Sequence, residues 1–390
     1  MNLDFETEEA REGSITFLVP KHTGGMKPTQ TPVFYNSRME LNRDLAVLAL
    51  AAYAKRRKEI WACEPMAGCG VRGIRFAVEV DNVRSVVLND INPCAARLAE
   101  KNVRMSGLSG KVGVENLEAN LLLSAHSASH SRFDVVDIDP FGSPAPYLDS
   151  AVRAVSDGGL IALTATDMAP LCGVHPEACV RKYGGRPLRT EYCHEIAVRL
   201  LLGALVSAAG KHDIGIQSVF SHSTDHYVRA YAVIRRGSEL ANGSVATKGF
   251  ILHCFHCFHR ETARGIATFL PQICPECGKT LSIAGPLWLG PLYDRQFCSD
   301  MSDLSEGVQW RDKRRLQRIL TMVLNESDDP TYYVIDRMCD RLGIPTEPRG
   351  AVVRHLTNQG YPATPTHFNP HGIRTAAPAR IVSTAIAGQP

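Results

Sequence analysis

The stretch EPMAGCGVRG, Glu64 to Gly73, ends one apolar run, opens a helical pattern, and sets glycines at 68, 70 and 73 in the order G-x-G-x-x-G. Glycine allows a tight turn and lets the backbone approach a ligand at the N-terminus of the helix that follows. Alone the pattern arises by chance, and its setting gives it weight. A strand reads over Ile60–Cys63 and a helix over Val71–Val80, and Asp90 closes the next strand twenty residues beyond Gly70. A carboxylate there accepts hydrogen bonds from ribose hydroxyls. A tight turn with a solvated aspartate is the plainer alternative. The context favours an α/β fold with a nucleotide or adenosine site, Gly68, Gly70 and Asp90 binding the cofactor. Glu64 at the strand mouth would repel a pyrophosphate but suits an ammonium and a sulfonium, which favours S-adenosylmethionine over a dinucleotide.

Outward from this turn, strands and helices alternate. Ile60–Cys63, Ser85–Asn89, Lys111–Glu115, Phe133–Ile138 and Leu160–Thr164 read as strands, with helical patterns such as Val71–Val80 and Pro93–Met105 between them. Such alternation means crossover units and a mostly parallel sheet. A long helix near Glu191–Ala209 leads to Gly215–Ser221 and Tyr227–Arg235, spaced for an antiparallel hairpin closing the sheet. Upstream, Ser37-Arg38-Met39-Glu40 fits a capping box before a helix with Leu41, Leu45, Leu48 and Ala52 on one face. The first domain spans residues 1–237. Residues 238–299 hold a linker, Gly237–Gly249, and two close cysteine pairs among short β-like runs. Residues 300–390 read as three short helices, Gln309–Leu324, Tyr332–Leu342 and Arg349–Gln359, then an extended Pro/His/Thr-rich arm. That order suits a winged-helix-like module.

Bulk numbers exclude more than they assert. With 390 residues, 44% of them apolar, the chain can bury two or three cores. No apolar run suggests a membrane span, and the acidic start MNLDFETEEAREG is unlike a targeting segment, so a cytoplasmic place is expected. Twelve cysteines in a chain of this size point to metal ligands or catalysis before disulfides. The formal charge of +3 says little, but four basic clusters raise the prospect of nucleic acid: Lys55–Lys58, Arg181-Lys182, Arg235-Arg236 and Arg311 with Lys313–Arg315.

DVVDIDPFGSP, Asp134 to Pro144, is the second informative stretch. Asp137 and Asp139 lie two apart, on one face of a strand, and Pro140 ends the ladder. A strand capped by turn-forming residues is the bland reading. In the topology above, however, this fourth strand ends beside the methyl group of the cofactor. An exocyclic amine keeps its lone pair in the ring. A carboxylate and a backbone carbonyl accepting its two hydrogens favour the geometry in which the nitrogen attacks. Asp139 then accepts from the amine, Pro140 supplies the carbonyl, and Phe141 stacks on the base. Asp137 either raises the proton affinity of Asp139 or is structural.

Together FYNSRMELNRDL, GCGVRGIRFA, DIDPFGSP, ATDMAPLCGVHPEACVRKYGG and the tail THFNPHGIRTAAP closely resemble the archaeal-type, zinc-ribbon-containing tRNA (guanine(26)-N2)-dimethyltransferases. The resemblance covers nearly the whole chain. It implies a class I Rossmann-like methyltransferase domain, S-adenosylmethionine as donor, and two successive methylations of one guanine amine in tRNA. Carried over on matching positions, it implies that Arg43 and Arg72 contact the cofactor with Asp90, Glu118 and Ala119, and that Phe34 is the wall facing Phe141. A base stacked within tRNA must be flipped to reach such a pocket. No membrane and no obligate protein partner is expected.

Cys254-x-x-Cys257, then Cys274-x-x-Cys277 after sixteen residues, has zinc-ribbon spacing, and four thiolates close a tetrahedral Zn2+ site. Its role is expected to be structural. Cys172-x-x-His175 with Cys179 also looks metal-like but lacks a clear fourth ligand, so loop packing or substrate contact is preferred. His126 and His130 read as exposed polar positions. The rivals are a methyltransferase acting on another guanine in tRNA or rRNA, a nicotinamide-dependent oxidoreductase, and a non-catalytic RNA-binding protein. Neither of the last two explains Asp139-Pro140-Phe141.

Overall fold

The computed structural model describes residues 3–21, 31–266 and 268–387. A hairpin of β1 (Thr7–Glu12) and β2 (Ile15–Pro20) precedes α1 (Glu40–Ala54). The capping box expected at Ser37 is replaced by a different cap. Asn36 accepts from the Arg38 amide over a short 3-10 turn, Ser37–Met39, and Glu40 begins the α-helix with its carboxylate turned to Arg311.

Then come β3 (Ile60–Glu64), α2 (Val71–Glu79), β4 (Val83–Asn89), α3 (Pro93–Met105), β5 (Val112–Glu115), α4 (Ala119–Ala125), β6 (Phe133–Ile138), α5 (Leu148–Ala154) and β7 (Val155–Ala165). Two short helices, α6 (Met168–Leu171) and α7 (Pro176–Tyr183), lead to the long α8 (Cys193–Gly210), and β8 (Ile214–Thr224) and β9 (Tyr227–Arg236) form the expected hairpin. The sheet order is β5-β4-β3-β6-β7-β9-β8, with β9 antiparallel to β7 and to β8 and the other pairs parallel. The chain winds outward from β3 in one direction and from β6 in the other. The C-terminal ends of β3 and β6 therefore flank the crevice where an open parallel sheet binds its ligand.

α8 is mostly apolar, its Glu195 and Arg199 paired with each other, and is long enough to cross a bilayer, yet 72% of it is buried within the fold. The central sheet covers one side and a second sheet the other, which is why its sequence lacks a solvated polar face. That second sheet, in order β11-β10-β12, follows α9 (Ser238–Ala246), the helix found where a linker was expected. Asn242 and Gly243 weaken its helical signal, and packing of α9 against β8 and α8 overrides that weakness. β10 (Lys248–His253), β11 (Arg260–Arg264) and β12 (Ser282–Trp288) carry the cysteine pairs at one end.

The remainder comprises α10 (Arg295–Ser305), α11 (Lys313–Asn325), β13 (Tyr333–Val334), α12 (Ile335–Leu342), α13 (Arg349–Asn358), β14 (Ala363–Thr366), β15 (Asn369–Thr375) and α14 (Ala379–Ile386). Its sheet order, β13-β15-β14, with α12 and α13 between β13 and β14, is a winged-helix arrangement. The arm read as extended folds into the β14–β15 wing. Apolar packing does not divide at residue 300. Phe297, Met301, Trp310, Leu316, Leu320 and Val323 belong to the core built on the central sheet, and a separate core starts at Tyr333.

Buried charge joins the two cores. Glu195 of α8 receives Arg374 at 3.0 Å, Arg199 at 2.7 Å and the Thr331 amide at 2.8 Å. Arg374 also reaches Glu326 at 2.6 Å, and Glu326 accepts from Thr366 and His367.

Candidate active site

The glycine turn lies at the end of β3. Gly70 has φ of 80° and caps α2, and a Cβ there would sit 2.8 Å from the Leu88 side chain. A Cβ on Gly73 would come within 2.3 Å of the same leucine, so this glycine sets how closely α2 packs on β4. Asp90 fixes the turn from the end of β4: one oxygen accepts from the Gly68 amide at 2.9 Å, the other from Asn92 at 2.9 Å. Glu118 caps α4 through the Leu121 amide at 3.0 Å, and Ala119 is buried behind it. Asn89 links the loops by bonding the Pro65 carbonyl and both the carbonyl and amide of Leu117. Gly68, Gly70, Asp90, Glu118 and Ala119 thus gather on adjacent strand ends β3, β4 and β5, where an open parallel sheet holds a nucleoside-bearing cofactor, and the Asp90 and Glu118 carboxylates suit its hydroxyl and amino groups.

Arg72 projects from α2 into a set of carboxylates. It pairs with Glu64 at 3.2 Å, with Asp137 at 3.2 Å and with Asp139. The sequence separates these three acids, and the structure gathers them on one guanidinium. Burial pushes Glu64 up to about 8; Arg72 opposes this, while Asp137 and Asp139 add to it. Burial would also raise Asp137, but Arg229 and Arg72 outweigh it and hold that carboxyl below the ordinary range. Asp137 is wholly buried between these two arginines, so its part is structural. Arg43 does not stand free. Its guanidinium meets Glu12, also bonded by the Tyr35 hydroxyl at 2.8 Å, and donates to the Asn36 carbonyl at 3.0 Å.

Asp139 directly follows β6 with its side chain 17% exposed, Pro140 is buried, and Phe141 is 73% exposed. The loop is braced from behind. Gly142 exchanges hydrogen bonds with Thr166, donating to Oγ1 at 2.8 Å and accepting from the amide at 2.9 Å. Ser143 bonds Tyr183 at 2.8 Å, and Tyr183 donates to Asp167 at 2.6 Å. Phe34 and Phe141 meet, as expected, but not as parallel walls. Their ring centroids are 4.6 Å apart with planes at 90°, and a base between two faces needs about 7 Å, twice a carbon–carbon contact. The pair is closed edge-to-face.

The sequence reading missed Arg229, Tyr183 and Asp167. Arg229 binds Asp137, Thr164 and Tyr231. Its signal was present: a charge inside the apolar run YVRAYAVI is rarely buried without a partner.

Residues 13–387 match the profile of the family described as TRM, N2,N2-dimethylguanosine tRNA methyltransferase. The chain belongs to this family. It is 38% identical over 375 residues to the tRNA (guanine(26)-N(2))-dimethyltransferase of Methanosphaera stadtmanae, covering 96% of this chain and 95% of the relative. It is 34% identical to the tRNA (guanine(26)-N(2)/guanine(27)-N(2))-dimethyltransferase of Aquifex aeolicus over 94% of this chain and 93% of the other. Among solved structures, Trm1 from Pyrococcus horikoshii in complex with S-adenosyl-L-methionine superposes with a TM-score of 0.88 at 34% identity, covering 97% and 99% of the two chains. Family membership removes the oxidoreductase and the non-catalytic rivals.

In this member of the methyltransferase family, the sulfurs of Cys254, Cys257, Cys274 and Cys277 lie within 4.8 Å of one another. Four sulfurs tetrahedral about zinc are about 3.8 Å apart, from a Zn–S bond of about 2.3 Å, so the set fits the ion with small adjustments. The amides of His256 and Cys257 point at the Cys254 sulfur and those of Glu276 and Cys277 at Cys274, as thiolate ligands require. Cys172 does not gather with His175 and Cys179. Its sulfur lies instead beside Cys193 and His194, the first residues of α8. His126 also departs from expectation, its ring packing 4.4 Å from Phe133 and 5.3 Å from Trp61, whereas His130 is exposed.

Proposed function

We propose that the chain methylates the exocyclic N2 amine of guanine 26 in tRNA, once and then again, in the cytoplasm. The carrying observation is the placement of Asp139-Pro140-Phe141 across the β3/β6 crevice from the glycine turn. When bound, S-adenosylmethionine supplies an electrophilic methyl group on a sulfonium. Gly68, Gly70, Asp90, Glu118 and Ala119 hold its nucleoside part, and Glu64, Arg72 and Arg43 border the remainder. Asp139 accepts one amine hydrogen, and the Pro140 carbonyl accepts the other. This pulls the nitrogen lone pair out of ring conjugation and holds it for in-line attack. Asp139 Oδ then takes the proton that the amine loses. Arg72 fixes the carboxylate, and Tyr183 with Thr166 fixes the loop. Phe34 and Phe141 part to admit the flipped base, exchanging one ring–ring contact for two ring–base contacts.

The test incubates the protein with tRNA transcripts and S-adenosylmethionine and follows nucleosides by mass spectrometry. N2-methylguanosine followed by N2,N2-dimethylguanosine is expected, and both disappear when guanine 26 is replaced by adenine. Methylation at a ring nitrogen or a ribose, or product unaffected by that replacement, overturns the proposal.

A further inference from the structure

Outside the four-cysteine cluster, one other group among the described residues has metal-ligand geometry. The sulfurs of Cys172 and Cys193 and a ring nitrogen of His194 lie within 4.8 Å of one another, all three side chains half-buried. We propose that these three residues bind a second zinc ion whose fourth position is open to water.

The ligands come from two elements already fixed by other contacts. Cys172 closes α6, its amide donating to the Met168 carbonyl at 2.8 Å, and the Gly173 backbone lies against Leu188 and Arg189. Cys193 and His194 begin α8, anchored one residue earlier by Tyr192, which is fully buried. Rigid placement of this kind lowers the cost of assembling a site. Tetrahedral zinc with two sulfurs and one nitrogen needs ligand atoms about 3.3–3.8 Å apart, from bonds of about 2.0–2.3 Å, which small side-chain rotations achieve here. Two thiolates and an imidazole form a borderline-soft set, suited to zinc and unsuited to magnesium or calcium. Three protein ligands with one open position is a recognised zinc geometry.

Charge and position say what the ion does. Two thiolates cancel its charge, so the site adds nothing to attract phosphate. It joins the end of α6 to the start of α8. Asp167 precedes α6 and accepts from Tyr183, which in turn bonds Ser143 in the loop that carries Asp139. The second zinc therefore clamps the support of the acceptor loop. Sequence spacing pointed to Cys172, His175 and Cys179; the fold exchanges two of these for ligands some twenty residues on.

Metal content of the full chain, purified under reducing, zinc-replete conditions, tests this directly. Two zinc ions per chain are expected, falling to one in Cys172→Ser and in His194→Gln, with circular dichroism confirming that each variant is folded. Cobalt titration of the unaltered protein provides a second readout. The first and second equivalents should give distinct visible bands, a four-thiolate spectrum and a two-thiolate, one-imidazole spectrum. The proposal fails if Cys172→Ser keeps all the zinc of the parent, or if cobalt saturates with the four-thiolate spectrum alone. Recovery of a Cys172–Cys193 disulfide after thiol-blocking lysis also defeats it.

Discussion

Asp139 and Glu64 share one arginine, yet their surroundings give them different work. Asp139 keeps an opening to the crevice, and Asp139→Ala should lower methyl transfer by about 10²-fold or more, the scale of a lost general base, while cofactor affinity is retained. Near-normal single-turnover rates in that variant would remove Asp139 from the mechanism. Glu64 is buried, and in the folded chain it holds its proton to about pH 8 against an ordinary value of 4.5. A raised acid contributes stability in full below its unfolded value and loses it as pH rises through the folded one. The cofactor-free protein should therefore weaken between about pH 4.5 and 8, by at most about 1.4 kcal/mol per pH unit. Glu64→Gln should flatten that slope. Parallel urea midpoints for the two proteins across this range would contradict it. Asp139 was readable in the sequence because Asp-Pro-Phe follows an apolar run. The gathering of Glu64, Asp137 and Asp139 on Arg72 was not, because residues from three elements meet only when β3, α2 and β6 pack. Phe34 and Phe141 were readable as neighbours, but their edge-to-face closure depends on side-chain geometry that no spacing encodes.

At the scale of elements, β-branched alternation placed all seven strands of the central sheet along the chain, mostly parallel with a closing hairpin, while their order in the sheet came from the structure. What failed was local. Asn36 took the cap expected of Ser37, and α9 formed against its own weak propensity because β8 and α8 cover it. Both outcomes are decided by contacts distant in sequence. The four cysteines show the opposite case, where spacing alone foretold that their sulfurs would gather. The core around them is only Leu252, Cys254, Cys274 and Leu281 with partly buried neighbours, too small to persist without the metal. Cys274→Ser should therefore lose zinc and open β10–β11 to hydrogen exchange while the central sheet stays protected. Unchanged protection in a zinc-free variant would show that packing suffices.

The whole molecule departs most from its sequence reading. A boundary at residue 300 cut through a continuous core, since α10 packs on α1 and β8 of the methyltransferase domain and α11 packs on α10. In the basic cluster at Arg311 and Lys313–Arg315, one of the four that raised the prospect of nucleic acid, two members already have protein partners at the surface: Arg311 pairs with Glu40 and Arg315 with Asp225. No local signal announces such pairs. Between the two cores, Arg374 is fully buried and holds both Glu195 and Glu326. Arg374→Ala removes the guanidinium shared by two buried carboxylates, leaving Glu195 to Arg199 and Glu326 to His367, and should cost up to about 3–5 kcal/mol. It should split one melting transition into two and reduce tRNA methylation more than cofactor binding. A single transition at the parental temperature would show the network to be dispensable. That network ties α8, which lies against the central sheet, to the wing through buried ion pairs, so a displacement of either unit is shared by the other or breaks them, as with a keystone between two spans.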